Sequence, residues 1–228
     1  MMKESLQNIG DLIAEPRSTF TRLKSQPRSG VAFIIFYLFS VLIGWAVMPY
    51  TEAMIDASLS RSNLQTEELE AAESIAQIFK NIGIFIFPIF AILGFIISGA
   101  LLKLGARYLL RNETLRFRHI YAAVIHVALI NCVIQLVNTA LLLVFRDASD
   151  VKSVADFKMI PGLHMLFDSD ANVKLLVFLS HINPLSLWLI AVMAIAIAVL
   201  ADLEKTRSRI AAVILWLLMI SYEVIFAS

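Results

Sequence analysis

Long apolar stretches alternate with short polar ones along the chain. No Asp, Glu, Lys or Arg falls within 29–51, 81–102, 120–145 or 175–201, and 210–227 is broken only by Glu223. About 20 mostly apolar residues in a helix cross a ~30 Å hydrocarbon core. The pattern therefore predicts five membrane-spanning helices, near 30–50, 82–103, 121–145, 184–201 and 209–227. A closed β-barrel, the other backbone-satisfied way across a bilayer, needs short alternating segments. These runs are continuous, so the expected fold class is an all-α integral membrane bundle of five helices.

The segments between the spans carry patterns of their own. Leu6, Ile9, Leu12 and Ile13 recur at helical spacing, and Pro16 suits a fresh helix start. Phe20 and Leu23 continue the apolar stripe among Arg17, Arg22, Lys24 and Arg28. Residues 1–29 thus read as an amphipathic segment in the interface, ahead of a membrane domain over 30–228. Arg17, Phe20, Arg22, Lys24 and Arg28 are its candidate contacts to a docked partner or to anionic lipid. In 51–81, Thr66 can cap a helix whose first turn holds Glu67 and Glu68, and which runs on into the second span. In 146–183, Pro161-Gly162 predicts a turn and Val173 to Ile182 a short helix, broken from the fourth span by Asn183-Pro184.

Composition agrees: 59% of the 228 residues are hydrophobic and 16% charged, against about 45–50% and 25% in soluble domains. A net charge of +1 gives no footprint for nucleic acid. The single cysteine, Cys132, excludes a disulfide framework. Charge distribution says more than charge total. The N-terminal tail, the loop near 103–120 and the loop 202–209 hold 13 Lys and Arg with six acidic residues; the opposite loops hold six with 11. The excess of Lys and Arg marks the cytoplasmic side, which places the N-terminus inside and the C-terminus outside. The first apolar run begins too late for a cleavable signal, so the first helix is expected to remain as an anchor.

Three stretches carry a family likeness. They are Ala14-Glu15-Pro16-Arg17-Ser18-Thr19-Phe20 with Pro27-Arg28, Leu115-Arg116-Phe117-Arg118-His119-Ile120-Tyr121-Ala122, and Leu185-Ser186-Leu187-Trp188 followed by Thr206-Arg207-Ser208-Arg209. In order and spacing they resemble the Yip (Ypt-interacting protein) domain family of five-span membrane proteins, in its bacterial branch. The chain departs from that pattern at Ile130, usually proline, at His126, usually aromatic, and in the glycine-free run Ala194 to Ala201. The resemblance implies a bacterial inner-membrane protein that is not an enzyme and takes no cofactor. It implies a scaffold or transport accessory with a membrane-protein partner, for which an ABC-type exporter is one expectation, and it leaves room for a homo-oligomer.

Few residues inside the spans can carry chemistry. Glu223 is the sharpest: an ionisable group in a span normally faces the bundle and has a partner. Asn138 and Arg146 at the end of helix three, and His181 and Asn183 nearby, are the candidates to meet it. Asn131, Gln135 and Asn138 lie at i, i+4 and i+7, which places three amides on one helical face. With His126 they complete the candidate intramembrane polar site, and they support an alternative reading as a small transporter or channel. Gly94, Ser98 and Gly99, and Ala194, Ala198 and Ala201, are small residues at close-packing intervals. The sequence holds no phosphate-binding glycine loop, zinc-protease motif or nucleophile elbow.

Overall fold

A computed structural model describes residues 2–61, 65–108, 116–167 and 172–227. Those residues form eight α-helices: α1 Met2–Ala14, α2 Pro16–Ser25, α3 Gly30–Arg61, α4 Thr66–Tyr108, α5 Phe117–Phe145, α6 Val173–Ser180, α7 Pro184–Ala201 and α8 Lys205–Phe226. Single turns of 3-10 helix occupy Ala148–Asp150, Val154–Phe157 and Leu163–Leu166. Five helices, α3, α4, α5, α7 and α8, are long and apolar enough to cross a membrane. Asp168 to Asp170, and residues 109–115 of the basic loop, lie outside the described residues.

The helix before the second span is continuous with it, as the sequence predicts. At about 1.5 Å per residue, the 43 residues of α4 extend about 65 Å, roughly twice the hydrocarbon thickness. The helix opens at Thr66 itself, so the cap is one residue earlier: the Gln65 N–H donates to the Glu68 carboxylate at 3.1 Å. Likewise α3 continues past the expected end near residue 50 to Arg61, with Pro49 inside it.

The centre of the bundle is α5 and α7, with α3 and α4 packed on one side and α8 on the other. Ile125, Ile130, Leu189, Val192 and Ala212 are almost wholly buried there. Small residues set the close approaches. A Cβ on Gly99 would lie 3.2 Å from the Phe117 ring, so α4 comes close to α5 at that point, whereas Gly94 faces open space. Ala194, Ala196 and Ala201 of α7 are buried, and α7 forms the most extensive helix pair of the bundle with α8. The α7–α8 turn passes through Asp202 at φ 52°, a left-handed conformation that Asp tolerates better than most residues.

The two N-terminal helices dock on the bundle rather than merely leading into it. α2 packs on α7 and α5, and α1 on α2 and α3. Leu12, Thr19, Phe20 and Leu23 are fully buried by this packing. Arg22 fastens the pair: its guanidinium donates to Asn8 at 2.6 Å, to Asp11 at 2.7 Å and to Ser18 at 2.7 Å. Lys24 pairs with Asp202 at 2.6 Å, tying α2 to the α7–α8 turn.

Candidate functional site

The opposite end of the bundle is closed by the segment between α5 and α6, and polar groups do the closing. Asn138 holds the segment to α5. Its amide donates to the Phe157 carbonyl at 2.6 Å, and its oxygen accepts from the Met159 N–H at 2.9 Å and the Ile160 N–H at 3.3 Å. Tyr50 of α3 donates to the Arg146 carbonyl at 3.0 Å. The turn at Val154–Phe157 is set by Asp156, whose carboxylate accepts from Ser153 N–H at 2.8 Å and Ser153 Oγ at 2.9 Å, as in a capping box. Gly162 lets the segment reach the end of α6: an added Cβ would stand 3.1 Å from the Ile182 carbonyl and 3.2 Å from that of Ser180.

This path delivers a cation to Glu223. Lys158, between Phe157 and Met159, both bonded by Asn138, turns its ammonium onto Glu223 Oε1. His181, at the C-terminal cap of α6, brings Nε2 within 2.9 Å of Glu223 Oε2. The α6–α7 corner that places His181 is tight. Asn183 donates to the Ser180 carbonyl at 2.7 Å and caps α7 by accepting from Ser186 N–H at 2.9 Å, with Pro184 opening the helix. Behind Lys158, His164 Nε2 lies 3.1 Å from the Lys158 carbonyl. Burial holds the His164 imidazole below the ordinary histidine range; the hydrogen bond to that carbonyl acts upward, and the nearby Lys158 ammonium downward.

Beneath these groups lies a cavity of about 140 Å³ between α5, α7 and α8. Asn131, Gln135 and Asn138 line it from α5, Ser186 and Leu189 from α7, and Trp216, Met219 and Glu223 from α8. Four of the five residues proposed from sequence as an intramembrane polar site thus meet around one space. His126 does not join them. It is buried elsewhere on α5, with Nδ1 2.7 Å from the Ala122 carbonyl one turn back. Of the four candidates to meet Glu223, His181 does so, and Asn138, Arg146 and Asn183 do not. Arg146 is exposed and offers only its carbonyl, and Asn138 is committed to the loop. Lys158 was not anticipated; its one sequence signal is a lone charge within Phe157-Lys158-Met159-Ile160.

At the other end, the structure corrects the expected docking contacts. Phe20 has no exposed surface and belongs to the core, so it meets neither lipid nor partner. Arg22 is engaged inside the α1–α2 pair, Lys24 with Asp202, and Arg28 with Glu4. Arg28 in turn holds the Glu4 carboxyl below its usual range. Arg17 alone of the five is exposed, and its guanidinium has no partner among the described residues. No group of three metal-ligating side chains occurs among the described residues, and Cys132 is buried as a free thiol.

A family model, the Yip1 domain, matches residues 10–225, nearly the whole chain. Neither a curated protein nor a solved structure matches it.

Proposed function

The chain belongs to the Yip1 domain family, and from that premise we propose that it is a scaffold or accessory subunit in membrane transport or export, without catalytic activity of its own. Yip1 family proteins are not known enzymes. The proposed setting is a bacterial inner membrane, with the basic end and N-terminus in the cytoplasm and the acidic end and C-terminus outside. The observation that carries the reading is the contrast between the α3–α4 pair and the bundle centre. Only 11% and 12% of the apolar windows of α3 and α4 are buried, against 39% in both α5 and α7. The pair also extends well beyond a hydrocarbon core. It supports a partner membrane protein seated along α4, for which an ABC-type exporter is the first candidate. Photo-crosslinkers at Ile78, Phe85 and Leu93, all exposed on α4, test this in native membranes. One membrane protein captured from all three, and not from Leu218 on α8, is the expected result. Crosslinks to lipid alone would contradict it.

The cavity favours a second reading, a small transporter or channel that uses Glu223 and the amide face of α5. Flux across liposomes, lost in Glu223→Gln with the fold intact, is its test. Topology is tested separately: cysteines placed at Ser153 and Thr206, at opposite ends of the bundle, should label only from outside and only from inside respectively.

A further inference from the structure

We propose that the cavity is a headgroup site for a lipid that carries both a phosphate and a primary ammonium. α5 and α8 each pack on α7 without packing substantially on each other. The cavity is therefore a cleft with α7 as floor and the Lys158 loop as roof, and its flank passes Met219, which is 52% exposed. Within it, the amides of Asn131 and Gln135 have no hydrogen-bond partner among the described residues. Polar groups at membrane depth are costly unless satisfied, so these two call for a guest, whereas Asn138 spends its oxygen and one N–H on the loop.

The charges choose the guest. Glu223 and Lys158 face the same space as a pair. A simple cation there meets the Lys158 ammonium, and a simple anion meets the Glu223 carboxylate. A guest with both signs satisfies both. Each Glu223 oxygen takes one bond, from Lys158 or His181, and a carboxylate has about four acceptor sites, so N–H donors of a primary ammonium find room. The order of the groups also fits a lipid. Glu223 lies three residues from the end of α8, while Gln135 and Asn131 lie deeper along α5. The ammonium then sits outermost, the phosphate below it on amide N–H groups, and the chains leave sideways past Met219. A quaternary choline, which has no N–H, lacks the bond to Glu223, and a glycerol headgroup lacks the cation.

The site is the one used in the second reading above, but it requires no transport; absent flux leaves it standing, and absent lipid selectivity leaves flux untouched. The test is native mass spectrometry of the full chain released from nanodiscs that contain equal phosphatidylethanolamine, phosphatidylcholine and phosphatidylglycerol with identical chains. The ethanolamine lipid should be retained about tenfold over the other two, the weight of one or two charge-assisted bonds. Asn131→Leu with Gln135→Leu removes unpaired polar groups, so the fold should hold while retention of all three lipids falls, and Glu223→Gln should reduce the preference for the ethanolamine lipid. Equal retention of the three lipids by the native chain, retention undiminished in the double variant, or a preference unchanged in Glu223→Gln would overturn the proposal. Soluble glycerophosphoethanolamine bound without any lipid preference would assign the same chemistry to a free solute and overturn the lipid source.

Discussion

The two ends of the bundle are closed by opposite means. At the basic end, α1 and α2 lay Leu12, Phe20 and Leu23 into a dry core, and ionic contacts fasten the rim. At the acidic end, the loop between α5 and α6 is held by Asn138, by the Lys158–Glu223–His181 group and by the Asn183 corner, over a cavity. Apolar closure contributes stability and leaves no space to use. Polar closure contributes less, depends on ionisation, and keeps hydrogen-bonding groups beside an opening. The difference teaches that the chain is anchored at one end and equipped to respond at the other.

The largest effect should come from the dry end. Phe20→Ala removes a fully buried ring and should destabilise the protein by about 3–5 kcal/mol, releasing α1 and α2 together. Thermal unfolding in detergent and proteolysis near Gln26 would register it. A small shift, with α2 still protected, would show that the docking of α2 rests on other contacts. At the wet end, Asn138→Ala leaves the Phe157 carbonyl and the Met159 N–H unpaired. It should cost about 1–3 kcal/mol and speed amide exchange at 157–160, with α2 unaffected.

Acidification should separate the ends further. The His164 imidazole is held below its unfolded value by burial, so the unfolded state binds more protons and stability rises with pH. Its contribution is present above the unfolded histidine range near pH 6.5 and is lost as pH falls through that range toward the lower folded value. Protection over 151–167, after allowance for intrinsic exchange, should therefore fall as pH drops through the window below about pH 6.5, while α1 and α2 change little. His164→Gln, which can still donate to the Lys158 carbonyl, should flatten the dependence. A loop equally protected across that window would remove His164 from the account. The smallest effect belongs to Lys24→Met. Its partner Asp202 is mostly exposed, so about 0.5 kcal/mol is expected, fading with salt.

Much of this was legible in the chain because the governing signals are local. Four uncharged runs and a fifth broken only by Glu223 located the five spans, and the i, i+4, i+7 spacing of Asn131, Gln135 and Asn138 located the polar face of α5. Pro184 after Asn183 marked the α6–α7 corner, and Thr66 to Glu68 marked the start of α4 to within one residue. Of the long-range encounters, His181 with Glu223 was among the candidates, and Lys158 with Glu223 was not. Lys158 meets Glu223 across 65 positions, and only the folded loop, pinned by Asn138, decides that meeting. For the same reason Phe20 and Arg22 read as a surface stripe. An amphipathic helix presents the same pattern to a bilayer as to the foot of a bundle, and the choice between them is tertiary.

The contact that closes the wet end is the most direct point of test. In a Cys132→Ala background, Gln135→Cys places a reporter thiol in the cavity, and its modification rate by a water-soluble maleimide is read with Lys158→Glu, Glu223→Lys and both together. Each single reversal sets like charges against each other and should raise the rate about tenfold or more. The double reversal restores opposite charges and should bring it back near the starting value. A double variant as reactive as the worse single one would mean that Lys158 and Glu223 do not hold this end closed.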